Sequence, residues 1–400
     1  MSEFGKYGLP LEVKFCKKCT ISNQRPSSTV EFKNKIDSKK ETIFFDSDGI
    51  CDACRYHDIK KSINWIERNQ ELEELCNRFR RNDGRYDVIV PGSGGKDSLY
   101  VAHLLKYKYN MHPILVTWPP HMYTENGYSN FLKWLEAGFP NITYWPNQEV
   151  HKTLARLAFK NLTHPFQPFI VGQRNIGPTF SVLLDIPLIM YGENQAEYGN
   201  KINDNKNRQM NSDYYSSNSD INTILIGGKS IKDIMKTYKF TLSDMKSYIP
   251  TDPVLLKNIG TEVHYMSYYI NWHPQEVYYY GVTRTGLRPN TKRTEGSYSK
   301  YSSFDDKLDW LHYYTTYIKF GIGRATYDSS QEIRNGDITR EEGVHLVKRF
   351  DGEKPLEYLN DILDYLNLTL DEFNEIIDSS RPRHLWDFKE GVWKLKNTIE

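Results

Sequence analysis

The chain has 400 residues, too many for one small core, so two or three domains are expected. Its 52 Lys+Arg are matched by 51 Asp+Glu, which excludes a general basic field of the kind used for bulk nucleic-acid binding. No apolar run approaches the roughly 18 residues that span a bilayer, and the opening MSEFGKYGLPLEVKF lacks the apolar stretch of a signal peptide. A soluble, cytoplasmic protein is expected.

Residues 1–60 carry four of the five cysteines, as Cys16-Lys17-Lys18-Cys19 and Cys51-Asp52-Ala53-Cys54. In a reducing compartment two C-x-x-C pairs read as thiolate ligands of a structural zinc, because each turn offers two sulfurs and two turns complete a tetrahedron. Four sulfurs leave no open position for catalysis. Reduced, unmetallated thiols or a redox pair are the bland alternatives. So short a stretch cannot build its own core, which suits a metal-stapled, zinc-binding module of four cysteines. An amphipathic linking helix follows over 62–80; in it Cys76 reads as a small buried residue.

From residue 86 strands and helices alternate. Strands are expected at 87–91, 112–118, 141–145 and 186–192, and helices at 96–109, 131–137 and 148–162. That alternation predicts an α/β fold, a doubly wound parallel sheet covered on both faces, over residues 61–200. Residues 199–222 are rich in Asn, Ser and Lys and poor in aliphatics. With the short helical segments after them, residues 201–260 read as an insertion or mobile segment. Residues 261–400 are aromatic and mostly helical, and read as a region for substrate or partners.

The first strand runs into Pro91-Gly92-Ser93-Gly94-Gly95-Lys96-Asp97-Ser98. A Walker A loop fails here, because Asp97 follows Lys96 and Val90 stands where the first glycine belongs. A dinucleotide fingerprint fails because Asp97 occupies the third glycine position. A second Gly-Gly-Lys-Ser at 227–230 also fails, with Thr223 at the first glycine position, and reads as a helix start. What remains, Ser93-Gly94-Gly95-Lys96-Asp97-Ser98, resembles the S-G-G-x-D-S loop of the PP-loop ATP pyrophosphatases (the adenine-nucleotide alpha-hydrolase-like, or HUP-like, group), which split ATP between its α and β phosphates. The residue types suit that task. Glycines let successive N–H groups face one anion, Ser93 and Ser98 add donors, and the following helix presents its positive end. Lys96 supplies charge for a departing pyrophosphate, and Asp97 makes sense beside magnesium or as a helix cap.

The whole layout resembles one branch of that group, the N-acetyl sugar amidotransferases of the WbpG and PseA type. The resemblance rests on the two cysteine pairs, DGICDAC, YDVIVPGSGGKDSLYVAHLLK, LVTWPPHMYTENGYSN, HPFQPFIVGQ, MYGENQAEYGN, RTEGSYSKYSSFDDKLD and IKFGIGRATYDSSQEIRNGDITREEG. It implies ATP-dependent conversion of an acetamido group on a sugar acid into an acetamidino group, in bacterial surface-polysaccharide, LPS O-antigen or flagellin glycan biosynthesis. ATP, Mg2+ and structural zinc are the implied cofactors. It also implies a separate glutaminase with a cyclase-like ammonia conduit, resembling the subunits of imidazole-glycerol-phosphate synthase. The chain's own cysteines support that division, since none sits in a nucleophile turn.

Within that frame residues 91–98 are expected to hold the pyrophosphate end of ATP. Val116 and Trp118, at the end of the next strand, are placed near adenine. Gln173, Gly192 and Asn194 are expected as pocket residues, and Glu193 and Glu197, with Asp97, as magnesium ligands. Arg284, Arg288, Arg293 and Arg324 offer forked donors for a carboxylated sugar. Lys292 and Lys300 are expected to assist adenylation, and Glu295 to accept a proton from ammonia. His121, His164 and His273 show no metal spacing and read as structural or general polar residues. A tRNA-modifying PP-loop enzyme, of thiolase or lysidine synthase type, is the nearest alternative, and the balanced charge weighs against it.

Overall fold

The computed structural model describes residues 4–193, 199–203, 207–218 and 220–400. Its centre is a five-stranded sheet of β1 (Val88–Pro91), β2 (Pro113–Thr117), β3 (Asn141–Thr143), β4 (Leu188–Tyr191) and a later strand, Glu262–Tyr265. The spatial order is β3-β2-β1-β4 and then Glu262–Tyr265, and all four pairings are parallel. This bears out the parallel sheet expected from the alternation. A strand buried on both faces needs an unbroken apolar run, and β1 and β2 are buried throughout.

Successive β1 residues point to opposite layers. Val88 and Val90 join a core with Leu99, Val101 and Leu105 of α3 (Lys96–Tyr107) and Phe131 and Trp134 of α4 (Glu125–Glu136). The linking helix α2 (Trp65–Phe79), which follows α1 (Asp52–Lys60) of the cysteine-bearing stretch, adds Leu72, Leu75 and Cys76 to that side. Its start is set by Asn64, whose side chain accepts from the N–H groups of Ile66 and Glu67. Ile89 faces the other layer, where Val150 and Leu154 of α5 (Gln148–Leu162) meet Phe169, Val171 and Ile176 of α6 (Gln167–Leu184). Helices thus cover both faces.

Residues 224–260, grouped with the insertion on composition, supply Ile224, Ile226, Ile231, Ile234, Met245 and Tyr248 to this second layer. The physical reason is their spacing: isolated aliphatics in a polar stretch still converge once a short hairpin and helix bring them to one side. Ser230, in the second Gly-Gly-Lys-Ser, caps the helix Ile231–Tyr238 by accepting from the Asp233 N–H, so that motif is indeed a helix start.

The cysteine-bearing stretch does not stand apart. Leu9, Ile21 and Ile43 pack with Phe320, Ile322, Leu385 and Trp386 of the carboxyl-terminal region. Thr20 and Ser329 share a buried hydroxyl hydrogen bond of 2.8 Å. Among the described residues no helix is long and apolar enough to cross a membrane.

Candidate functional site

β1 ends, the chain turns through residues 92–95, and α3 begins at Lys96 with Gly95 as its cap. Two glycines here are required by geometry. Gly94 has φ of 93°, a conformation L side chains rarely adopt. A Cβ on Gly92 would lie 2.3 Å from both Cβ and Oγ of Ser98, so the turn closes onto the helix only with hydrogen at that position. The Gly92 N–H donates to the Val116 carbonyl at 3.1 Å, tying the loop to β2. Ser93 donates to Asp305 Oδ2 at 3.2 Å, and the Lys96 ammonium spans both Asp97 oxygens at 2.7 Å.

Strand order reverses at β1, because β2 and β3 lie on one side of it and β4 and Glu262–Tyr265 on the other. In open parallel sheets the crevice at the carboxyl ends of the two strands flanking such a switch receives ligands. Here β1 contributes the glycine loop and β4 contributes Gly192 and Glu193. Gly192 abuts the Asp97 side chain, with a distance of 3.3 Å from a Cβ built on it to that of Asp97. Burial opposes the Lys96 charge, but Asp97 and Glu193 together hold its pKa above the ordinary lysine value. Lys96 stays cationic.

The crevice opens into a cavity of about 680 Å3 whose wall includes Pro91, Gly92, Ser93, Gly95, Lys96, Asp97, Ser98, Gln173, Gly192, Glu193 and Arg324. These expected site residues are therefore brought together. Asn194 and Glu197 lie outside the described residues. Val116 is buried within β2, and Trp118 is buried against Tyr144, His151 and Tyr248. Arg324 lines the cavity with its guanidinium 4.3 Å above the Tyr313 ring and its Nε 3.1 Å from Asp328.

The remaining expected residues sit elsewhere. Arg284 and Arg288 are exposed, and neither borders the cavity. Arg293 makes a forked pair with Glu353, at 2.6 and 2.8 Å. Lys292 pairs with Glu357 at 2.8 Å, Lys300 donates to the Thr291 carbonyl at 3.1 Å, and Glu295 accepts from the Glu357 N–H at 3.2 Å. Of the histidines, buried His121 bonds Asp306 at 3.0 Å, His273 lies 3.5 Å from Asp337, and His164 borders the cavity 3.4 Å from Glu31.

Much of the wall is not singled out by the sequence. Arg25, Glu31 and Lys40 come from the cysteine-bearing stretch, and Asp305, Asp309 and Glu332 from the carboxyl-terminal region. The Phe-Asp-Asp segment is a visible signal for the aspartates; the first group has none. Asp306 accepts from the backbone N–H groups of His121, Met122 and Leu308, which anchors the helix Lys307–Phe320.

Burial pushes the Asp309 carboxyl up to about 7, with the Arg324 charge opposing the rise and Asp305 and Asp306 adding to it. Its folded form therefore binds protons more readily than its unfolded form. The stability this group contributes is complete below about pH 4 and is lost as pH rises through about 7. Asp309→Asn is accordingly expected to raise the urea midpoint relative to the parent at pH 8 and to leave it nearly unchanged at pH 4. An equal shift at both values would reject this assignment.

The four cysteine sulfurs, all buried, lie within 4.8 Å of one another. The separations Cys16–Cys54 of 3.9 Å and Cys19–Cys51 of 3.7 Å match the edge of a tetrahedron with bonds of about 2.3 Å, which is the Zn–S distance. The Lys18 and Cys51 N–H groups each point at Cys16 Sγ from 3.4 Å, the kind of outer support thiolate ligands receive. The donor set fits zinc.

An uncharacterized protein of Methanocaldococcus jannaschii, MJ1599, is 32% identical over 77 residues, covering 19% of this chain and 27% of that protein. The match thus spans about a quarter of that relative's length. Residues 295–400 match the family model described as LPS biosynthesis protein WbpG-like, C-terminal domain. That region carries Asp305, Asp309, Arg324 and Glu332 of the cavity wall, so the likeness to the WbpG-like family, which covers residues 295–400, includes part of the site.

Proposed function

We propose that this protein is a PP-loop ATP pyrophosphatase acting as an amidotransferase on an N-acetylated sugar acid. The observation that carries the reading is the Ser-Gly-Gly-Lys-Asp-Ser turn, set at the strand-order switch and opening into the cavity. The amide oxygen of the acetamido group attacks the α phosphorus of ATP, and the bond to pyrophosphate breaks. Ammonia then adds to the activated carbon, AMP departs with the former amide oxygen, and a proton is lost to leave the amidine. An amide oxygen is too poor a leaving group without that esterification.

The N–H groups of the turn and the Lys96 ammonium bind the diphosphate where its charge develops. Asp97, in the first turn of α3, and Glu193, just beyond β4, would hold Mg2+, which supplies further charge neutralisation there. Residues of the WbpG-like region close the sugar side of the cavity.

The ammonia source in this reading is a separate glutaminase with a cyclase-like conduit. Four cysteines form the buried cluster. Burial pushes the fifth, Cys76, up to about 12, the opposite of an activated nucleophile. Incubation with ATP, Mg2+, candidate sugar acids and ammonium is expected to yield AMP and pyrophosphate with a product about one mass unit lighter. Glutamine in place of ammonium is expected to yield none. ADP formation rejects the pyrophosphatase reading, efficient use of glutamine rejects the partner, and salt-sensitive retention of tRNA favours a tRNA-modifying enzyme.

A further inference from the structure

We propose that Lys40, Arg174 and Lys319, in the part of the cavity wall around Glu31, form the seat of the sugar acid's carboxylate. This deepens the reading above and rests on it. The three cations come from distant parts of the chain: the cysteine-bearing stretch, α6 and the helix Lys307–Phe320. All three line the same cavity.

Their charges converge. Burial opposes the Glu31 charge, yet His164, Lys40 and Arg174 hold its carboxyl below the usual range. Among the charges acting on buried Lys319 are the cations Lys40 and Lys6 and the carboxylate Glu31. Burial, and then Lys40, lowers Lys319 to about 7, with Glu31 opposing the fall, so a further carboxylate there would favour its charged form.

The donors are also ready for an acceptor. Arg174 Nη1 is buried and has no hydrogen-bond partner among the described residues, while its guanidinium is held 4.7 Å from the Tyr214 ring centre. Lys40 gives one hydrogen bond to Thr29 Oγ1 at 3.1 Å, and Lys319 one to the Leu162 carbonyl at 2.8 Å. Each ammonium has further N–H groups to offer, and an arginine fork matches the plane of a carboxylate.

Electrostatics favours carboxylate over a second phosphate site. The glycine turn and Lys96 already provide for the polyphosphate. A carboxylate on the same substrate is screened from that polyphosphate by these cations, none of which belongs to the glycine turn. The acetamido group is then left to face the nucleotide.

The test is calorimetric, in the presence of the α,β-methylene analogue of ATP, which cannot be cleaved at the reacting bond. The probes are N-acetylneuraminic acid and UDP-N-acetylglucosaminuronic acid, each against its methyl ester. For the parent chain at least one acid is expected to bind tenfold or more tightly than its ester. Arg174→Met and Lys40→Met are each expected to weaken acid binding at least tenfold and to leave ester and nucleotide affinities within twofold. These two residues are only half-buried, so they carry the test, and Lys319→Met is a supplementary variant. Equal binding of acid and ester, no binding of either acid, or an equal loss of nucleotide affinity in Arg174→Met overturns the proposal. Binding is read without turnover, so failure here is distinct from failure to form AMP.

Discussion

Gly92→Ala is expected to abolish AMP formation, and Lys96→Ala to lower it by about 10²–10³-fold, the range seen when one charge-stabilising donor is removed. The two variants act differently. An added Cβ at residue 92 meets the Ser98 Cβ and Oγ at 2.3 Å, so the turn must move away from the first helical residues and its N–H groups lose their common focus. Lys96→Ala leaves the turn intact and removes the ammonium that stays charged beside Asp97 and Glu193. Gly95→Ala is the control. Its added Cβ would have Ser93 Oγ at 4.0 Å as nearest neighbour, and its φ of −74° suits any L residue. The expected cost is modest, that of a less favourable cap, at most about 1 kcal/mol. Initial rates of ammonium-dependent AMP release distinguish the three. Full activity in Gly92→Ala would place the reacting phosphates elsewhere.

Purified protein is expected to contain one zinc per chain, and Cys51→Ser to lose both the metal and the activity. Structural zinc contributes on the order of 10 kcal/mol in small metal-folded peptides, and the stretch holding these cysteines has little core of its own. Its apolar residues pack on Phe320, Ile322 and Trp386, and Arg25, Glu31 and Lys40 from the same stretch line the cavity. Losing the metal therefore loosens one wall of the site. Elemental analysis, limited proteolysis of residues 4–60 and AMP release should change together. Cys76→Ser is expected to keep its zinc, because that thiol packs with Leu72 and Leu75 on the opposite side of the sheet from α6. Stoichiometric zinc in Cys51→Ser would show that the cluster is not the site.

The glycine turn and both cysteine pairs were legible because each is local. A tight turn, a helix start or a two-sulfur knuckle is dictated by a few adjacent residues whose conformational and donor properties travel with them. The parallel sheet was legible for a related reason, since apolar runs between helical periods admit few burial arrangements. The cations that line the cavity around Glu31 were not legible in this way. Arg284, Arg288 and Arg293 look like a cluster in sequence, yet two are exposed and the third is paired with Glu353. Lys40, Arg174 and Lys319 share no local signal and meet only in the folded chain.

By itself, then, the sequence determined the glycine turn after the first strand, the two cysteine pairs that form one cluster and the layered α/β architecture. Tertiary structure alone decided which cations share a cavity, that residues 224–260 belong to the core, and that the cysteine-bearing stretch forms part of the site. The difference is physical. Backbone conformation and periodic burial are set over a few residues, whereas the direction of a charged side chain depends on packing between segments hundreds of residues apart.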